Sequence, residues 1–162
     1  VYERLNDEFG PRVGLVLQAY LYKTESDMDR LAPRSPNYRL VKGAYKEPKE
    51  VAFPEKEDVD TNFVKMIEKQ LDAGHYAAVA THDDRMIERV KAYTEARGIP
   101  RDRFEFQMLY GIRVQAQLKL AQEGYRVRVY VPYGTDWYGY YMRRLAERPE
   151  NVGFLVKSIF KR

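Results

Sequence analysis

Five short strand-like segments alternate with helix-period segments along the chain, and no other feature limits the fold as strongly. The strand-like segments are Gly14–Tyr20, Tyr38–Tyr45, His75–His82, Arg103–Tyr110 and Arg126–Val131. Between them the apolar period changes to that of a helix. Phe63, Met66, Ile67 and Leu71 share one side of a helix predicted over Val59–Ala73. Met86, Ile87, Val90 and Tyr93 do the same within Asp84–Arg97. Further helices are predicted over Glu25–Leu31, Arg113–Gln122, Thr135–Ala146 and Glu150–Lys161, and Val1–Phe9 reads as a helix end stopped by Gly10-Pro11. Lys46–Asp58, charged and interrupted by Pro48 and Pro54, reads as an exposed, mobile loop. Strand and helix in regular turn are the pattern of βα units on a parallel sheet.

The strands also say which kind of sheet. Phe104, Phe106 and Met108 alternate with Glu105, Gln107 and Leu109; Val127, Val129 and Val131 alternate with Arg128, Tyr130 and Pro132. A doubly wound sheet is covered on both faces and wants both apolar. One apolar and one polar face fit a (β/α)8 TIM-type barrel whose lumen holds a polar site. Charges buried there must pair; Glu105 is expected against Arg39 or Arg128. Five βα units are too few to close such a barrel, and the chain starts at Val1 rather than Met. The reading is therefore of the last five units, with residues 1–162 forming the C-terminal part of one barrel domain.

Composition sets the remaining bounds. At 162 residues the chain suffices for one core, and 44% hydrophobic with 32% charged residues is a globular balance. No cysteine is present, which excludes disulfides and thiolate chemistry and suits a cytoplasmic setting. No run of 18 apolar residues suggests a membrane span. The net charge of +4 leans weakly towards an anionic ligand.

In a barrel the chemistry gathers at the C-terminal strand ends. Those ends carry Gln18, Lys42-Gly43-Ala44-Tyr45, Thr81-His82-Asp83, Leu109-Tyr110-Gly111 and Tyr130. The Lys-Gly-Ala turn could bring backbone N–H groups close to phosphate, although it lacks a P-loop consensus. His82-Asp83 is one ligand pair, too few for a metal site, and no nucleophile stands beside it. After the last strand, Tyr140, Arg143 and Arg144 fall at i, i+3 and i+4 of a helix, where a phenol and two guanidiniums share a face. That spacing serves a carboxylate or phosphate clamp, and serves a solvated basic patch equally well. The 14 tyrosines, interleaved with Arg, could also stack on bases.

Taken together, five blocks resemble the proline dehydrogenase family: Leu17-Gln18-Ala19-Tyr20, Arg39-Leu40-Val41-Lys42-Gly43-Ala44-Tyr45, Ala80-Thr81-His82, Phe104 to Gly111, and Tyr130 through Arg143-Arg144-Leu145-Ala146-Glu147. The resemblance implies a distorted (β/α)8 barrel that binds FAD. It implies oxidation of L-proline to Δ1-pyrroline-5-carboxylate, the first step of proline degradation, with electrons passing to a membrane quinone. Arg143 and Arg144 would hold the proline carboxylate. Tyr130, Tyr140, Leu109 and Tyr45 would wall the ring. Arg39 would sit by the flavin N5 as the catalytic cation, Gln18 at the isoalloxazine edge, and Lys42, Gly43, Ala44, Thr81 and His82 on the rest of FAD. No metal is implied. The location implied is cytoplasmic, with peripheral contact at the inner membrane surface as an option. Two other readings remain at this point: a flavin barrel like methylenetetrahydrofolate reductase, and a basic, aromatic nucleic-acid-binding module.

Overall fold

The computed structural model describes residues 1–43, 45, 47–135 and 139. Five strands form one sheet: β1 (Gly14–Gln18), β2 (Asn37–Val41), β3 (Ala77–Ala80), β4 (Phe104–Leu109) and β5 (Val127–Tyr130). Their order in the sheet is their order in the chain, and every neighbouring pair is parallel. The helices are α1 (Tyr2–Phe9), α2 (Thr24–Leu31), α3 (Lys56–Asp72), α4 (Asp84–Ala96) and α5 (Val114–Gln122). The chain divides into two compact units, Val1–Tyr130 and Val131–Arg162. The first holds all of these elements. The helices expected over Thr135–Ala146 and Glu150–Lys161 lie outside the described residues, Thr135 and Gly139 apart.

The apolar residues of the strands build the core with the helices. Tyr38, Leu40, Val79, Phe104, Phe106 and Met108 are buried against Met28 and Leu31 of α2, Phe63, Met66 and Ile67 of α3, and Met86, Ile87 and Val90 of α4. Burying one such large side chain is worth about 1.5–3 kcal/mol, so this layer supplies the main driving force. Phe104, Phe106 and Tyr125 meet as a cluster of rings, Phe104 and Phe106 edge to face with centroids 5.8 Å apart. The opposite face of the sheet carries Val16, Arg39, Ala78, Glu105, Gln107 and Arg128, which line a cavity of about 320 Å³. Helices on one face and a polar lumen on the other are the layout of a partial TIM-type barrel.

Three expectations need correction. First, the strands are shorter at their C-terminal ends than the apolar runs suggested. β2 stops at Val41 because Gly43 takes φ +113° and turns the chain away. Second, α3 begins at Lys56, ahead of the expected Val59. Glu57 and Asp58 fall in its first turn, where the helix dipole favours acids. Third, the segment read as an exposed, mobile loop is pinned at its centre. Ala52 is buried and bridges Leu21, Phe53 N–H donates to Tyr20 O at 2.8 Å, and Tyr22 N–H donates to Val51 O at 3.1 Å. The rings of Tyr22 and Phe53 meet at 4.6 Å.

Candidate functional site

The parallel register stacks the lumen-facing residues in rows. Arg39 on β2 lies beside Ala78 on β3, which lies beside Glu105 on β4. One row further along, Ala80 stands beside Gln107, and Gln107 beside Arg128. Alanine at both β3 positions leaves space over that strand. Arg39 uses it: its Nε donates to Gln107 Oε1 at 2.7 Å, across β3. Gln107 Nε2 donates in turn to Glu105 Oε1 at 2.6 Å. Arg128 closes the chain with a two-armed contact to Glu105, Nε to Oε1 at 2.6 Å and Nη2 to Oε2 at 2.9 Å. The expected partner of Glu105 is thus Arg128, while Arg39 reaches the acid through an amide.

Glu105 is only 5% exposed. Burial pushes its carboxyl up, but hydrogen bonds from Arg128, Gln107 and Tyr76 and the charge of Arg128 outweigh burial and hold it below the usual range. Arg128 is correspondingly raised by its bond to Glu105. The guanidinium carbon of Arg39 also lies 5.7 Å from the ring centroid of Tyr130, within cation–π reach.

The strand ends carry several of the expected residues, and some of these meet. Thr81 follows β3 and is buried; its Oγ1 accepts from Asp83 N–H at 3.1 Å and turns the chain into α4. His82 Nε2 accepts from Leu109 N–H at 2.9 Å, tying the end of β3 to that of β4. A neutral imidazole accepting there carries its proton on Nδ1. Arg113 fastens the same corner, donating to His82 O at 2.9 Å and to both Asp84 oxygens at 2.6 and 2.7 Å. Gln18 ends β1, and its backbone carbonyl accepts from the Thr24 hydroxyl at 2.6 Å. Leu109 is half-buried, and Tyr45 and Tyr130 are exposed. Arg143, Arg144, Tyr140 and Ala44 lie outside the described residues.

Lys42 and Gly43 each make contacts that the sequence did not show. Lys42 follows Tyr38 and Leu40 on the helix side of β2. Its Nζ lies 2.5 Å from Asp60 Oδ1 and 2.9 Å from Asp83 Oδ2. Burial raises Asp83, but Lys42 and Arg85 overcome this and bring it down to about 2. Asp60 is likewise lowered on balance, with burial opposed by Lys42 and Lys56. The ammonium is therefore committed to two carboxylates. At Gly43 a Cβ would collide with the Tyr20 ring, so close packing there already demands glycine, whatever else the turn does. Asp83, read from sequence as half of a ligand pair, instead caps α4, accepting from Arg85 N–H at 3.0 Å. Among the described residues no group of three or more His, Asp or Glu gathers to hold a metal ion.

Sequence reasoning singled out neither Gln107, Asp60, Tyr76 nor Arg113. Gln107 carried a signal, since the alternation placed it in the lumen beside Glu105. Asp60 is one acid among several at the start of α3, and Arg113 sits in a turn with φ +55°; neither carried a local signal. The Gln18 amide, Arg39 guanidinium, Thr81 hydroxyl and His82 ring are side chains able to donate to nitrogen and oxygen acceptors of a cofactor.

Comparison with known proteins bears on the identity of this site. A family model described as proline dehydrogenase matches residues 1–157. Proline dehydrogenase 2 of Bacillus subtilis (strain 168) is 61% identical over 150 residues, which cover 93% of this chain and 50% of that protein. Proline dehydrogenase of Deinococcus radiodurans is 53% identical over 161 residues, covering 99% of this chain and 52% of that protein. The chain therefore spans about half the length of the curated relatives it matches. In structure it is similar to proline utilization A from Bdellovibrio bacteriovorus, solved after inactivation by N-propargylglycine, with a TM-score of 0.77 and 29% identity over 89% of this chain and 18% of that one. It is also similar to proline utilization A from Corynebacterium freiburgense, with a TM-score of 0.70 and 25% identity over 93% of this chain and 19% of that one. The parallel sheet is thus that of a known group of enzymes, and this chain belongs to the proline dehydrogenase family.

Proposed function

We propose that the chain supplies five βα units of a flavin-dependent proline dehydrogenase barrel, with residues 1–162 forming the C-terminal part of that single domain. The observation that carries this reading is the Arg39 guanidinium, fixed in the lumen by Gln107, in a chain of this family. FAD, when bound, supplies the acceptor for the hydride that leaves the ring carbon as L-proline becomes Δ1-pyrroline-5-carboxylate. The chain's own residues bind and orient. Arg39 holds positive charge beside the flavin N5, where a cation favours the more anionic reduced ring. Gln18 meets the isoalloxazine edge, and Thr81 and His82, with the backbone at Gly43 and Ala44, hold the rest of the cofactor. Lys42 contributes at one remove, by fixing that turn against Asp60 and Asp83.

Arg143 and Arg144 take the proline carboxylate in this reading, because paired guanidiniums match two oxygens. Tyr130, Tyr140, Leu109 and Tyr45 form the wall that excludes water from the ring. A membrane quinone is the proposed acceptor of the electrons, met by peripheral contact from the cytoplasmic side. Among the described residues no helix is long and apolar enough to cross a membrane. Family membership leaves neither the methylenetetrahydrofolate reductase-like nor the nucleic-acid-binding alternative with an observation in its favour.

The test is made in the full-length protein. It should purify yellow and reduce an artificial quinone when proline is added. Arg143→Met and Arg144→Met should each raise the KM for proline about 10- to 100-fold with flavin still bound, as expected for a lost charged hydrogen bond of roughly 1.5–3 kcal/mol. Unchanged KM in both variants returns the pair to a solvated patch. A protein that takes up no flavin overturns the whole reading.

A further inference from the structure

The chain of hydrogen bonds across the lumen has a direction that comes from its one acid. An amide can present either its oxygen or its nitrogen to a neighbour, and the two orientations have nearly the same shape. Gln107 stands between a donor, Arg39 Nε at 2.7 Å, and an acceptor, Glu105 Oε1 at 2.6 Å. Only one orientation satisfies both. Glu105 is in turn held by two bonds from Arg128, so the carboxylate cannot turn away from the amide without breaking them. Glu105 and Gln107 are both buried, 5% and 8% exposed, where an unmade hydrogen bond costs most. The small side chains of Ala78 and Ala80 keep the path over β3 open.

We propose that Glu105, anchored by Arg128, is the positioning residue for Arg39: it sets the Gln107 amide so that its oxygen faces Arg39 Nε, and so fixes the direction of the guanidinium. The inference rests on the proposed role of Arg39 beside the flavin. It assigns Glu105 no contact with substrate or cofactor. A glutamine at position 105 has the same size but offers a donor as well as an acceptor. Two facing amides can then settle in either of two orientations, and one of these turns an N–H towards Arg39.

The experiment compares four variants of the FAD-loaded, full-length protein by flavin midpoint potential and by steady-state kinetics with proline. Arg39→Met is the reference and should lower the potential. Glu105→Gln should keep FAD, lower kcat about tenfold with the KM for proline within twofold, and weaken stabilisation of the reduced flavin about tenfold, a potential lower by roughly 30 mV. Gln107→Leu, which leaves Glu105 paired with Arg128, should shift the potential the same way, and it carries the test if Glu105→Gln does not fold. The double exchange Glu105→Gln with Gln107→Glu places the acid directly on Arg39, opposes its charge, and should lower the potential further than Glu105→Gln alone. If Arg39→Met lowers the potential while Glu105→Gln and Gln107→Leu match wild type, the positioning role is wrong and the reading of Arg39 stands. If Arg39→Met itself leaves the potential unchanged, it is the reading of Arg39 beside the flavin that fails.

Discussion

Two cations three residues apart, one on β2 and one just past its end, lie in opposite surroundings. Arg39 faces the lumen, and its Nε meets a neutral amide, with the balancing acid one bond further on. Lys42 faces the helix layer, and its ammonium lies directly between Asp60 and Asp83. Both arrangements are ways to keep charge in a poorly solvated place. They differ in the partner each cation meets. Direct pairing with two carboxylates fixes the ends of β2, α3 and α4 to one another. The bond to Gln107 orients the arginine Nε on the lumen side. One cluster holds the scaffold, and in the proposed reading the other prepares the site.

The sharpest way to break that contrast is Lys42→Met. It removes the cation between two mostly buried carboxylates and leaves them to Lys56 and Arg85 alone, which should cost about 3 kcal/mol, the low end for breaking a buried pair. Denaturant unfolding of the full-length protein should show that loss. An unchanged midpoint would make Lys42 dispensable to the scaffold.

Asp83→Asn separates charge from shape, because asparagine also caps a helix. The folded Asp83 carboxyl lies at about 2, below its unfolded value near 4, so its contribution is complete above pH 4 and is lost as pH falls towards 2. The variant should be roughly 2 kcal/mol less stable at neutral pH. That deficit should close between pH 4 and 2, as read from unfolding midpoints across that range. A deficit independent of pH would assign the effect to the cap instead.

The smallest expected change in stability is on the lumen side. Arg39→Met removes the half-exposed hydrogen bond to Gln107 along with the contact to Tyr130, and should cost about 1 kcal/mol, with the larger expected effect on the flavin. A stability loss as large as that of Lys42→Met would erase the distinction between the two clusters.

Much of this was legible in the order of residues. Strand existence followed from the apolar runs, and the face of each strand residue followed from alternation, which placed Glu105 and Gln107 in the lumen and Phe104 and Phe106 in the core. Segment ends were harder. The end of β2 depended on Gly43, whose conformation and tight contact with Tyr20 involve residues far apart in the chain. That the Lys42 ammonium meets Asp60 and Asp83 could not be read from its neighbours in sequence, where neither acid stands beside it.

What the sequence determined by itself is local and periodic: strand or helix, inward or outward, acid or base, because a backbone's period and a side chain's charge need no distant partner. Which acid meets which base was decided by tertiary structure. The parallel register placed Ala78 and Ala80 where Arg39 could cross to Gln107, and the packing of α3 and the cap of α4 brought Asp60 and Asp83 to Lys42. Hydrogen bonds and ion pairs act over a few ångströms, and only the folded chain sets distances on that scale between residues remote in sequence.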